Sequence, residues 1–135
     1  MEQRIKNKVI VKFDIYVKQS KVANSNKRNR GVFAARSFET GVIVEIAPII
    51  LLHQQDVDLV EKTELKYFNM YWDGKTVCIG LGFASLYNHS STPNVEVTRD
   101  FKNNLYIFTA CQNIKKNSEL FIDYEIDDIE SEYEI

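Results

Sequence analysis

Two histidines, two cysteines and a tyrosine set between acids are the residues of this chain whose chemistry asks for a test. His53 and His89 lie in different segments, and no GxSxG elbow is present to offer a serine nucleophile to either. Cys78 and Cys111 both fall in apolar, strand-like runs, so buried structural thiols are the better reading than Cys-His catalysis. Two Cys and two His at scattered positions do not make a zinc site, and no metal is expected. Phosphate cradles of the GxxxxGK and GxGxxG kinds are absent. What remains is dispersed. Asn29-Arg30-Gly31 closes a polar loop, residues 80–90 run from apolar into Asn88-His89-Ser90, Ser91-Thr92-Pro93-Asn94 turns the chain, and Tyr124 stands between Asp123 and Glu125.

The elements that must position these residues are mostly strands. Val9, Val11, Phe13, Ile15 and Val17 alternate with mainly charged residues, which predicts a half-buried strand with those five inward. Lys21 to Arg30 is polar and basic and reads as a loop; Gly31 to Ala34 restarts apolar structure. Glu39-Thr40-Gly41 is a turn before the β-branched run Val42–Leu52, where Pro48 marks a strand end, an edge or a bulge. Val57, Val60 and Glu64-Leu65 suit a short helix, and Asp73-Gly74-Lys75 is a hairpin turn. Strands follow at Val95–Arg99, Leu105–Cys111 and Leu120–Tyr124. Many short strands with turns between them and no linker predict one mainly β domain, and a chain of this length buries roughly 70% of its unfolded surface without staples.

Composition narrows the classes further. No apolar run follows the N-terminus to make a signal peptide, and no stretch reaches the roughly 18 apolar residues of a membrane span, so an intracellular, cytoplasmic chain is expected. The sequon at Asn88-His89-Ser90 is set aside on the same ground. A net charge of −2 conceals an asymmetry. Residues 1–36 hold ten Lys/Arg against two acids, whereas residues 117–135 hold eight acids and no Lys or Arg. Such runs are solvated surface or a footprint for a charged partner, and a nucleic-acid binder using residues 4–36 is the weakest of these readings.

In order and spacing the dispersed pieces resemble the SET-domain protein-lysine methyltransferases. Arg28-Asn29-Arg30-Gly31-Val32-Phe33-Ala34 stands where that family has its Gly-x-Gly loop and strand, and Glu39–Glu45 looks like the next turn and strand. Leu86-Tyr87-Asn88-His89-Ser90-Ser91-Thr92-Pro93-Asn94 matches the specific Asn-His-Ser-x-x-Pro-Asn motif, and Ile114–Tyr124 matches the closing strand with its tyrosine. The resemblance covers about residues 7–125 and is nearest to the short, free-standing bacterial and viral members. It implies a mainly β fold of the β-clip type, with several small antiparallel sheets, short helices and a knot-like threading of the C-terminal segment. On it, residues 1–135 form one SET domain with an acidic tail at 126–135. Departures are Asn29 for the first glycine, Asn117 in a turn where glycine is common, Ser91 for a frequent cysteine, and no Cys-x-Cys zinc segment after Tyr124. Asparagine tolerates positive φ best among non-glycine residues, so both Asn positions are expected to keep the glycine backbone shape.

The activity implied is methyl transfer from S-adenosylmethionine to a lysine ε-amine in a protein or peptide, in a basic segment such as a histone-like tail. Tyr124 is then the catalytic residue, orienting amine and methyl rather than acting as a base. Asn29, Arg30, Gly31, Asn88, His89 and Tyr124 contact the cofactor, and Tyr67, Tyr71, Tyr87 and Ile122 line the substrate channel, with Tyr67 or Tyr71 as the second pore tyrosine. Ile122 stands where relatives carry Phe or Tyr, which implies room for di- or trimethylation. A homodimer completing the channel and a nuclear location in a eukaryotic or viral setting are further expectations; membrane and nucleic-acid partners are not. The rival is a catalytically silent SET module that binds a peptide or assembles with a partner.

Overall fold

The computed structural model describes residues 13–22 and 29–124. Strands β1 (Ile15–Gln19) and β2 (Arg30–Ala34) pair antiparallel, and β9 (Glu119–Ile122) joins β2 on its other edge. The two-residue strand β6 (Asn88–His89) then pairs parallel with β9, giving the order β1-β2-β9-β6. A second sheet has the order β4-β5-β3-β8-β7, from β3 (Ile43–Leu51), β4 (Asn69–Asp73), β5 (Thr76–Gly80), β7 (Val95–Asp100) and β8 (Leu105–Ala110). Between β3 and β4 lie a short helix, α1 (Gln54–Val60), and a 3-10 turn at Glu64–Tyr67; another 3-10 turn at Ala84–Leu86 leads into β6. Mainly β architecture with curled sheets is as expected. The last described strand is threaded between β2 and β6 rather than added at an edge.

Strand β3 is the spine of the larger sheet, and its irregularities decide what faces the core. It pairs with β8 from Ile43 to Pro48 and with β5 from Ile49 to Leu51. Pro48, which has no N–H to give, sits where the strand changes partner, and its carbonyl accepts Leu81 N–H at 2.9 Å. A bulge between Ile43 and Glu45 breaks the alternation. Val44 points inward, and one residue later Glu45 also turns inward, opposite the fully buried Phe108. A carboxylate thereby enters the core side of the sheet.

The core is aromatic at its centre. Tyr87 stacks on Phe108 with centroids 4.4 Å apart, and Tyr106 links Phe108 to Trp72 through tilted and edge contacts. The Tyr106 hydroxyl donates to the Tyr71 carbonyl, so the polar end of a wholly buried ring is satisfied. Leu120 and Ile122 on β9 and Val32 on β2 close the core from the smaller sheet.

Two expectations change on this fold. Phe13 is 65% exposed and precedes β1 instead of lining its inner face, its ring meeting that of Phe83 edge to face; Val9 and Val11 lie outside the described residues. The eighth strand ends at Ala110, so Cys111 is exposed and only Cys78 is a buried thiol. His53, for which the sequence offers no nucleophile elbow, is the residue before α1, its N–H donating to the Asp56 carboxylate at 3.3 Å as a helix start. Arg28, Glu125 and the acidic tail lie outside the described residues. The asparagines behave as expected: φ is +59° at Asn29 and +72° at Asn117.

Candidate active site

The left-handed turn at Asn29 delivers the chain into β2 at Arg30 and Gly31. The Arg30 carbonyl accepts the Asn88 side-chain amide at 2.9 Å. Asn88 gives its second amide proton to Glu119 Oε2 at 2.8 Å, and Ser20 Oγ donates to Glu119 Oε1 at 2.6 Å. Glu119 thus ties β1, β9 and the Asn88 segment together around Gly31. A β-carbon on Gly31 would lie 2.3 Å from that carboxylate and 2.8 Å from the Asn88 nitrogen.

The Asn-His-Ser-x-x-Pro-Asn segment grips β9 on its other side. Asn88 and His89 pair with Phe121 and Ile122, and Ser90 N–H donates to the Ile122 carbonyl at 2.9 Å. Asn94 then mimics a strand neighbour: its Nδ2 donates to the Glu119 carbonyl at 2.9 Å and its Oδ1 accepts Phe121 N–H at 2.8 Å. The register places Tyr124 just beyond β9, against His89. Tyr124 N–H donates to His89 Nδ1 at 3.0 Å, and the two rings lie 5.2 Å apart. An Nδ1 that accepts carries no proton, so its 3.7 Å separation from Asp123 is proximity and not a hydrogen bond.

Although 41% of Tyr124 is exposed, its hydroxyl is turned inward and donates to the Tyr87 carbonyl at 2.5 Å. Burial raises its pKa well above the ordinary tyrosine value, so the hydroxyl stays protonated. Three separated stretches of sequence, around residues 30, 88 and 124, are therefore joined by direct hydrogen bonds. A SET domain model matches residues 29–125, from the left-handed turn to one residue past this tyrosine.

The chain belongs to the SET-domain family of protein-lysine methyltransferases.

Members of this family use S-adenosylmethionine as methyl donor, and the chain is accordingly a protein-lysine methyltransferase. The SET chain is 28% identical over 104 residues to the Schizosaccharomyces pombe histone-lysine N-methyltransferase specific for H3 lysine 37, covering 76% of this chain and 71% of that one. A Plasmodium falciparum protein, solved as a candidate histone methyltransferase, superposes with a TM-score of 0.67 at 27% identity, over 84% of this chain and 95% of that one. The ctPRC2 complex in an autoinhibited conformation bound to S-adenosylmethionine shares the fold, with a TM-score of 0.70 at 18% identity over 87% of this chain and 16% of that one.

The remaining expected site residues fall in different places. Tyr87 and Ile122 are each 1% exposed and belong to the core, so neither side chain walls an open channel. For Ile122 the cause is strand alternation, which turns Leu120 and Ile122 inward together. For Tyr87 it is Glu45, whose Oε1 accepts the Tyr87 hydroxyl at 2.8 Å while its Oε2 accepts Phe83 N–H at 2.8 Å. Tyr87 reaches the site through its carbonyl instead. Tyr67 is 40% exposed on the 3-10 turn with the Lys66 ammonium 5.0 Å from its ring centre, and Tyr71 on β4 has a buried hydroxyl without a hydrogen-bond partner. Sequence reading missed Glu45, Glu119, Ser20 and Asn94 as parts of the site. Asn94, Glu45 and Glu119 all lie within the stretches that carry the resemblance, but nothing local marked their side chains as partners of the site.

Proposed function

We propose that this SET domain methylates a lysine in a basic protein segment, histone-like tails among them, with Tyr124 at the point of transfer. The observation that carries the reading is the Tyr124 hydroxyl, kept protonated and bonded to the Tyr87 carbonyl directly beside Asn88 and His89. S-adenosylmethionine supplies an electrophilic methyl group on its sulfonium. The chemistry of the surrounding groups fits that molecule. Main-chain N–H and C=O groups at Asn29–Gly31 and Asn88–His89 would hold its polar ends, and Asn88, with both Nδ2 protons engaged, keeps Oδ1 as an acceptor for an ammonium.

The attacking amine must be neutral, and deprotonating a lysine of pKa about 10.4 at pH 7 costs roughly 4.6 kcal/mol. An apolar, aromatic approach lowers that cost by desolvation. Tyr124 cannot take the proton at neutral pH, because its own hydroxyl titrates above the ordinary range. Since that hydroxyl donates to Tyr87, its oxygen keeps lone pairs with which to accept, and its role is to orient the amine. A basic substrate is supported by the eight acids of residues 117–135 and by the H3 specificity in the name of the S. pombe relative.

Transfer of labelled methyl to Lys/Arg-rich peptides, histone H3 tails included, tests the proposal. Incorporation is expected, with Tyr124→Phe lowering kcat about a hundredfold or more. Full activity in Tyr124→Phe would overturn the tyrosine's role, and a preference for acidic peptides would overturn the substrate class.

A further inference from the structure

Adjacent residues Tyr87 and Asn88 are each gripped by a carboxylate from a different sheet. Glu119 of β9 holds Asn88, and Glu45 of β3 holds Tyr87. The second grip is built with some care. The β3 bulge turns Glu45 inward, and Gly82, at φ +63°, leaves the space in which the carboxylate sits: a β-carbon there would lie 2.5 Å from Oε2. Phe83 N–H and the Tyr87 hydroxyl fill the two oxygens, and the Tyr87 ring is clamped flat on Phe108. With ring and hydroxyl both fixed, residue 87 is held at φ −66° and ψ 134°, which sets where its carbonyl points. That carbonyl receives the Tyr124 hydroxyl.

We infer that Glu45 is a positioning residue for methyl transfer, fixing through Tyr87 the carbonyl that orients the Tyr124 hydroxyl. The inference rests on the role given to Tyr124 above. A stability role alone accounts poorly for a carboxylate here. Desolvation raises its pKa despite two hydrogen bonds, and apolar residues of similar volume commonly replace buried charges at no loss.

The test is a double-mutant cycle on kcat, with the full chain, S-adenosylmethionine and a methyl-accepting basic peptide. Tyr87→Phe keeps the ring and its stacking but frees it from Glu45. It is expected to lower kcat about tenfold, with both KM values within about twofold of the unaltered enzyme. In a Tyr124→Phe background the same change is expected to cost nothing further, since the hydroxyl being oriented is gone. Glu45→Gln, whose amide accepts from Phe83 N–H and donates to the Tyr87 oxygen, is expected to recover most of the kcat that Glu45→Leu loses. If Glu45→Leu does not fold, the cycle between Tyr87 and Tyr124 still decides. An unchanged kcat in Tyr87→Phe, or the same fold-loss in both backgrounds, overturns the inference. Full activity in Tyr124→Phe alone instead overturns the reading of Tyr124, so the two failures are distinguishable.

Discussion

Gly31 and Glu119 leave no room between them for a β-carbon, and the carboxylate that excludes it also bonds Ser20 and Asn88. Gly31→Ala must therefore displace Glu119 and loosen Asn88 from the Arg30 carbonyl. We expect a loss of about 1–3 kcal/mol in stability together with weakened S-adenosylmethionine binding. Thermal unfolding and calorimetry with the cofactor check the two effects, and an unaltered dissociation constant would separate Gly31 from the cofactor site.

Asn94→Ala removes both side-chain bonds to β9 and leaves the part-buried Phe121 N–H without its acceptor. The expected cost is about 1–3 kcal/mol. Because Tyr124 follows β9 directly, hydrogen exchange should rise at the amides of residues 121 to 124 more than in the larger sheet.

Asn29→Gly should be nearly neutral, within about 1 kcal/mol, because glycine adopts φ +59° without strain. Asn29→Val, β-branched, should cost clearly more at the same site. Equal melting temperatures for the two variants would show that the left-handed turn is not a constraint.

Ionisation of Tyr124 is not expected to limit activity below about pH 10. Its folded pKa is raised, so kcat/KM should climb with pH as the substrate lysine deprotonates and show no descending limb from this hydroxyl. The same shift has a stability consequence. Between the unfolded tyrosine value near 10 and the higher folded one, the unfolded chain has lost a proton the folded chain retains, so stability falls as pH rises. In Tyr124→Phe that alkaline fall should be shallower, measured by urea unfolding across pH.

Glu45 predicts a slope at the other end of the scale. Its folded pKa lies above the unfolded 4.5, so the folded state keeps a proton that the unfolded state loses as pH rises through that window. Stability contributed by protonated Glu45 is full below the unfolded pKa and is lost as pH passes the folded one. Glu45→Gln should flatten this portion of the profile; an unchanged slope would assign it to another acid.

How far the sequence disclosed all this depends on the kind of signal. The strands at Val95–Arg99 and Leu105–Cys111, the second ending one residue early at Ala110, and the glycine or asparagine turns were readable because they follow local sterics. Asn29 and Asn117 were readable for the same reason, through the one side chain that tolerates positive φ. The motif around Asn88 marked the site, but not that Tyr87 turns its hydroxyl away from it. That orientation depends on Glu45, 42 residues earlier, and on a bulge that shifts Glu45 across the strand. No periodicity encodes a bulge before the partner strand is in place. Ile122 shows a related limit: it stands two residues before Tyr124, but strand alternation sends its side chain into the core.

The threading of β9 between β2 and β6 also bears on how the protein is made. Glu119 reaches back 99 residues to Ser20, and Asn117 accepts from Tyr16 across 101. A nascent chain emerging from the ribosome has the aromatic sheet complete by Ala110, yet it has neither the strand that closes the smaller sheet nor the tyrosine beyond it. Closure over such separations is slow, and until it happens β2 presents a bare edge open to pairing with another chain. Catalytic competence therefore waits on β9, the last strand among the described residues.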